Sequence, residues 1–423
     1  MTAWIVGNGL ARVSDPAETD DLWSPKPDFV SSLEGEGKAM YRHLRSFTAV
    51  LFAFMFLAGE TSRAEGVFPG KTWQRVTPES QRVDAVKLQD AVDFMDQQFG
   101  PDGAKELVII RNGYLIWEGS GADAYHPIWS CTKTFTSTVL GLLVEDGRCT
   151  LDTRALEREV HLADHFPLYS RVKLRHLASM CGGYQGEVRD VREDQPWGDP
   201  MAFLNPREPY FEAGTAVQYN DHDVFLLGKI LTLLSGEPLQ DIFQQRIAGP
   251  IGMTRWEWGV SGMVDGIPLH NPPGNPGGAG AGGVKTTARE LARFGLLYLN
   301  RGNWNGRQLL AASYVDQATT NQVPVSGKYR NHDFRARYGF YWWVNGILAT
   351  GQRPWPSAPP KTYAAHGRGC NFCFVIPEWN MVAVRMGTVP ISTGNIAKGD
   401  RLCDEFFRRL ASAIGEHVAD HNR

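Results

Sequence analysis

The chain has 423 residues, 43% of them apolar and 21% charged, which excludes a collagen-like, low-complexity or disordered protein. Beyond residue 64, 37 Lys/Arg balance 38 Asp/Glu, so no surface for nucleic acid or another polyanion is expected. Six cysteines in so long a chain do not make a disulfide scaffold, although an oxidising compartment would permit one or two bridges.

Residues 1–39 are polar and Asp-rich and read as an over-extended, disordered start. From Met40 the pattern changes. Arg42 and Arg45 form a basic region, Phe47 to Ala58 is a twelve-residue apolar run, and Ser62-Arg63-Ala64 places small residues where a signal peptidase reads. Residues 40–64 are therefore expected to be a signal peptide that exports the chain to the periplasm or outside the cell. The run is short of the roughly 20 residues a span needs. Residues 65–423 are expected to form one domain with no stable membrane span.

Within it, Asp84 to Phe99 has helical spacing of Val86, Leu88, Ala91, Val92 and Met95 and stops at Gly100-Pro101. A hairpin follows, Glu106 to Ile110 and Tyr114 to Trp117 around Asn112-Gly113. A second hairpin lies near the other end, Phe372 to Ile376 and Met381 to Met386, before a helix from Asp400 to about Val418. Strands and helices from both ends imply an α/β fold of the α+β type, with one antiparallel sheet flanked by helices. The sheet lobe is expected over 84–129 and 291–420, with a mostly helical inserted lobe over 130–290 that includes helices at Asp223 to Leu234 and Ala288 to Leu299. The glycine-rich run Asn271 to Gly283 is either a flexible loop or a wall of the site. Tyr184 to Pro200, rich in acids, reads as a solvated loop or a lid. Cys370 and Cys373 have CxxC spacing, but on a strand they point to opposite faces and read as buried thiols.

Three segments carry chemistry. Ser130 and Lys133 stand three residues apart at the head of an apolar helix, which puts hydroxyl and amine on one face near the helix amides. Serine needs a base to take its proton, and burial is expected to lower the lysine pKa so that it can help. Ser170-Arg171-Val172-Lys173 has the same spacing without a long helix, and serves as a control. The second segment, Tyr219-Asn220-Asp221, precedes the helix at Asp223. A phenol beside an ammonium is acidified and could accept the serine proton and return it, while Asp221 reads as an N-cap. In the third, Ala365-His366-Gly367-Arg368-Gly369, glycines would let a substrate carbonyl approach main-chain N–H groups. His366 reads as structural or site-lining, and Arg368 as a site or surface cation.

Taken in order, these segments resemble the serine beta-lactamase and penicillin-binding-protein superfamily on its class C side. Val172 to Gly183 is similar to its "IRHLLSHTSG" segment, and Gly282 to Leu291 also matches, so the resemblance runs from about Leu88 to Leu410. It implies the beta-lactamase/transpeptidase-like fold and an acyl-enzyme on Ser130, with Lys133 and Tyr219 handling protons. Gly367-Arg368-Gly369-Cys370-Asn371 is similar to the "GxxGQ" strand of the 6-aminohexanoate-dimer hydrolase branch, which places the oxyanion N–H groups at Ser130 and Arg368. The expectation is a serine hydrolase of a small-molecule amide or ester, with no metal and no organic cofactor. A beta-lactamase or D,D-peptidase is the enzymatic alternative, and a ligand-binding or sensing protein without turnover is the alternative of another class. Two departures stand out. No Lys or Thr accompanies Gly367 to hold a beta-lactam carboxylate, unless Arg368 substitutes, and Asp221 stands where the family has Asn. A carboxylate only accepts hydrogen bonds, so Asp221 is expected to pair with Lys133 or with a donor on the substrate.

Overall fold

The computed structural model describes residues 66–156, 166–186, 205–274, 283–324, 335–389 and 396–415. The expected signal segment, most of the acidic stretch after Gly186 and the centre of the glycine-rich run lie outside them. Helix α1 (Ala85–Gln98) starts where the Asp84 carboxylate accepts the Val86 and Lys87 N–H groups at 3.0 and 3.1 Å, the N-cap role that its side chain suits. It buries Leu88, Ala91, Val92 and Met95, one helical stripe. Strands β1 (Leu107–Arg111) and β2 (Tyr114–Glu118) meet at Asn112 and Gly113. Both turn residues have positive φ, 52° and 83°, as a two-residue hairpin turn requires.

The segment between the chain ends contains β3 (His126–Pro127), α2 (Thr132–Glu145), α3 (Leu174–Ala178), α4 (Asp221–Ser235), α5 (Leu239–Phe243), β4 (Trp256–Trp258), β5 (Val260–Val264), β6 (Ile267–His270), β7 (Val284–Thr286) and α6 (Ala288–Leu299). It is less purely helical than expected. β3, β7 and β4 form a three-stranded sheet and β5 and β6 a hairpin, from strands too short to show alternation in sequence. After the β8 (Asn303–Trp304) and β9 (Arg307–Gln308) hairpin and α7 (Ala312–Ala318) come β10 (Trp343–Val344), β11 (Tyr363–Gly367), β12 (Asn371–Ile376), β13 (Met381–Arg385) and α8 (Ile396–Ala413). α8 begins four residues before the expected Asp400.

The main sheet has the order β10-β11-β12-β13-β1-β2. Its centre is the antiparallel pairing of β1 with β13, from Leu107 opposite Arg385 to Arg111 opposite Met381, so the two chain ends do build one sheet. Both faces are covered. Val108, Ile110, Cys373, Val375, Val382 and Val384 enter the core that includes α2 and α6 residues. Leu107, Ile109, Phe374, Met381 and Ala383 enter a second core shared with α1 and α8. Burial on both faces explains why these strands read as continuous apolar runs. All six cysteines are free and buried. Cys370 lies in the β11–β12 turn with φ 56°, outside the strand to which the spacing had assigned it.

Candidate active site

Ser130 sits in a single 3-10 turn, Trp129–Cys131, that runs directly into α2. The turn opens on Trp129 with φ 53°, a left-handed backbone that costs a bulky residue energy and persists only where its surroundings hold it. α2 is buried from Thr132 to Leu143, and its polar side chains are met individually. Thr136 donates to the Pro272 carbonyl at 2.9 Å, Thr132 accepts from the Val284 N–H at 2.9 Å, and Thr138 bonds the Tyr298 hydroxyl at 2.8 Å. A buried helix with its polar side chains satisfied therefore presents the Ser130–Lys133 face.

Lys133 is 1% exposed. Its ammonium donates to Ser130 Oγ and the Pro273 carbonyl, both at 2.9 Å, and lies 3.0 Å from Asp221 Oδ1. The Tyr219 hydroxyl is a further hydrogen-bond partner of the same ammonium. Burial by itself pushes the Lys133 amine down, but the Asp221 carboxylate and the Tyr219 hydroxyl together outweigh it and leave the group above its ordinary value. This corrects the expectation of a lysine acidified by desolvation: the ion pair keeps it a cation. The lysine also stands 5.0 Å from the centre of the Tyr219 ring. That ring stacks on Trp343 at 5.7 Å and meets Tyr338 edge-on at 6.0 Å.

Asp221 is the first residue of α4, and the N-cap is Asn220, whose side chain accepts from the Asp223 N–H at 2.8 Å. The capping role expected of Asp221 belongs to its neighbour, which leaves the Asp221 carboxylate for Lys133. Asp223 is fully buried and accepts the Gly182 and Tyr184 N–H groups at 2.9 and 3.1 Å. Burial pushes its carboxyl up to about 7 against those hydrogen bonds. It ties the Met180–Tyr184 loop to the helix bearing Asp221.

The third segment reaches the nucleophile through β11. A Cβ on Gly367 would lie 2.2 Å from the Ile128 carbonyl oxygen and 3.1 Å from both the Ser130 and Cys131 nitrogens. Only glycine allows this approach. The ladder between β10 and β11 covers Ala364 and Tyr363, so it stops before the Ala365–Gly367 end of the strand. His366 is exposed at its edge, stacks on Phe372 at 4.6 Å and lies 5.9 Å from Trp343. Loss of solvent around its ring, then the Arg337 cation, pushes the His366 pKa down. Arg368 lies over the Trp129 ring at 5.3 Å. The two ends of the glycine-rich run pack on the same turn: a Cβ on Gly274 would lie 2.0 Å from the Trp129 carbonyl oxygen, and one on Gly283 2.4 Å from Thr132 Oγ1.

The geometry thus brings Ser130, Lys133, Tyr219 and Asp221 together and sets Gly367 against the Ser130 turn. The control serine behaves differently. Ser170 donates to the Pro167 carbonyl in an exposed turn, and Lys173 pairs with Asp152. Sequence reading passed over Pro273, Trp343 and Asp223. Pro273 acts through its carbonyl and Trp343 lies on a two-residue strand, so neither left a pattern. Asp223, the second of two acids in the first turn of an otherwise largely apolar helix, did leave one. Among the described residues no cluster of His, Cys, Asp and Glu could hold a metal ion, and no helix is long and apolar enough to cross a membrane.

Comparison with known proteins agrees with this architecture. A candidate beta-lactamase from Bacteroides dorei DSM 17855 superposes with a TM-score of 0.60 at 17% identity, over 79% of this chain and 100% of that one. A candidate 6-aminohexanoate-dimer hydrolase from Bacillus anthracis gives 0.52 at 20% identity, over 72% and 79%. A family VIII carboxylesterase gives 0.54 at 19% identity, over 77% and 97%. At these identities the likeness is one of fold. The Beta-lactamase family model matches residues 95–400, which takes in every segment of the site, and the chain belongs to that family.

Proposed function

We propose that the chain is a serine hydrolase that cleaves an amide or ester through an acyl-enzyme on Ser130. The observation that carries this reading is the 2.9 Å bond from the buried Lys133 ammonium to Ser130 Oγ, with the Tyr219 ring beside the same cation. Because Lys133 is held as a donor by Asp221, Tyr219 is the group we assign to take the Ser130 proton as Oγ attacks the substrate carbonyl. The resulting alkoxide is held by the N–H groups of Ser130 and Arg368. Collapse breaks the C–N or C–O bond, and Tyr219 returns the proton to the leaving amine or alcohol. Water then attacks the acyl carbon, gives its proton to Tyr219, and the acid leaves as Ser130 regains its hydrogen.

Amides and esters pass through the same tetrahedral anion, so the apparatus serves both. Beta-lactam turnover is the weaker reading, because the strand reads Ala365-His366-Gly367 with no lysine or threonine for the lactam carboxylate. The export pattern at 40–64 supports an extracytoplasmic site of action. Incubation with a fluorophosphonate, followed by intact mass and peptide mapping, tests the nucleophile. One adduct on Ser130, absent from Ser130→Ala, is expected, and an unlabelled Ser130 in folded protein would overturn the reading. A panel of p-nitrophenyl esters, beta-lactams, D-amino-acid amides and linear amide dimers then selects the substrate class. A stable penicillin adduct without turnover would favour a sensor or peptidase.

A further inference from the structure

β13 carries one charge in an otherwise apolar strand, Arg385 after Met381-Val382-Ala383-Val384. It is wholly buried, opposite Leu107 of β1 and Phe372 of β12. The guanidinium donates to four main-chain carbonyls. Nε reaches Gly103 at 3.1 Å and Nη2 reaches Phe99 at 2.8 Å, while Nη1 is shared between Gly369 and Cys370, the latter at 3.1 Å. Among the described residues no carboxylate lies within ion-pair distance of it, and Asp102 and Glu106 act on it only from farther away. Burying a cation is costly even when its donors are met, and a packed aliphatic side chain would avoid that cost. The charge needs a use.

Two of the four carbonyls belong to the β11–β12 turn. Gly369 and Cys370 are consecutive left-handed residues there, with φ 81° and 56°, and the second is not glycine. The left-handed backbone at Cys370 is the costly one and persists only where its neighbours hold it. Arg385 grips it from the sheet side. From the other, Asn371 Nδ2 donates to the Arg368 carbonyl at 2.5 Å and to the Gly387 carbonyl at 3.1 Å, and Asn371 Oδ1 accepts the Gly387 N–H at 3.1 Å. Gly387 leaves room for the guanidinium, since a Cβ there would lie 2.6 Å from Arg385 Nη1.

We infer that Arg385 is a positioning residue for acyl transfer. By fixing the Gly369 and Cys370 carbonyls it holds the Arg368–Cys370 backbone so that the Arg368 N–H stays in register with the Ser130 N–H. This rests on the serine hydrolase reading, and it concerns a residue that touches neither substrate nor nucleophile.

The test uses the full chain, Arg385→Met and Arg385→Lys, each checked for wild-type circular dichroism. Four quantities are measured: the rate of Ser130 phosphonylation, kcat and KM for a p-nitrophenyl ester, affinity for an alkyl boronic acid, and affinity for the product acid. The boronate reports on the oxyanion site because its tetrahedral adduct places an oxygen there. In Arg385→Met, phosphonylation and kcat are expected to fall about 100-fold with KM changed by no more than about twofold. Boronate affinity falls in step and product affinity does not. Arg385→Lys, which keeps the charge and loses the fork, recovers about tenfold of the loss and decides the question if the Met variant does not fold. Folded variants with wild-type kcat and boronate affinity overturn the inference, as does an equal loss of boronate and product affinity. If wild-type Ser130 takes no phosphonate, the hydrolase reading falls and this inference with it. If wild type is labelled and the variants are unaffected, this inference alone falls.

Discussion

Oδ1 of Asp221 stands 3.0 Å from Nζ of Lys133, and no more than 1% of the lysine side chain meets solvent. The carboxylate therefore sets the protonation state at the heart of the site. Asp221→Asn leaves the cation without compensation and is expected to cost roughly 3 kcal/mol at pH 7. In wild type the raised Lys133 pKa contributes stability that is fully present below its unfolded value and lost only as pH rises through the folded one. In the variant, burial instead depresses the lysine, and stability recovers as pH climbs. Urea unfolding between pH 6 and 10 should show the gap between the two proteins largest near neutrality and narrowing upward. A gap that widens would mean that Lys133 is neutral in the wild-type protein.

Ser130→Ala and Lys133→Ala should each lower ester turnover by at least about 10³-fold. The double variant should be no slower than the worse single one, because members of one proton-transfer unit do not contribute independently. Ser170→Ala and Lys173→Ala should leave kcat unchanged. Steady-state kinetics on one ester settles all five proteins, and a multiplicative loss in the double variant would separate the two side chains mechanistically.

Gly367→Ala forces a methyl into the Ile128 carbonyl and against the Ser130 nitrogen. β11 must move away from the nucleophile turn. The expected result is a fall in kcat of about 100-fold with a stability loss of about 1 to 3 kcal/mol, read by ester hydrolysis and thermal unfolding. Wild-type kcat would show that the strand does not define the reacting geometry.

Asp223 gives a pH signature of opposite sign to that of an ordinary salt-bridged acid. Burial raises its carboxyl to about 7, so between its unfolded value near 4 and 7 the folded chain retains a proton that the unfolded chain has released. Its contribution is greatest in acid and declines as pH rises to 7. Asp223→Asn should remove that slope while weakening the grip on Gly182 and Tyr184, since an amide nitrogen cannot accept their N–H groups. Denaturation at pH 4.5, 6 and 7.5 compares the slopes, and equal ones would assign the dependence elsewhere.

Legibility in the sequence followed the kind of signal each feature leaves. Asp84 before an apolar stripe, Asn112-Gly113 between two apolar runs, and Ser130–Lys133 ahead of a long apolar helix are local patterns, and local physics decides them. That one antiparallel sheet is built from both chain ends was also readable, since hairpins at the two ends have each other as partners. The electrostatics were not. Whether burial or a carboxylate wins at Lys133 depends on Asp221 arriving from a helix 88 positions away, and spacing carries no such information. Nor does it show that Asn220, rather than Asp221, caps α4. Arg385 was legible and passed over: a lone guanidinium within an apolar strand is visible in the sequence, and its significance appears once Gly369 and Cys370 turn their carbonyls toward it.

The β1–β13 ladder carries a temporal consequence. Leu107 waits for Arg385, so a growing polypeptide completes most of its synthesis with the middle of its sheet vacant, and long-range pairings of this kind form slowly. A stop codon anywhere upstream of Met381 removes a central strand rather than a margin, so such alleles should behave as nulls however much of the Ser130 region they encode.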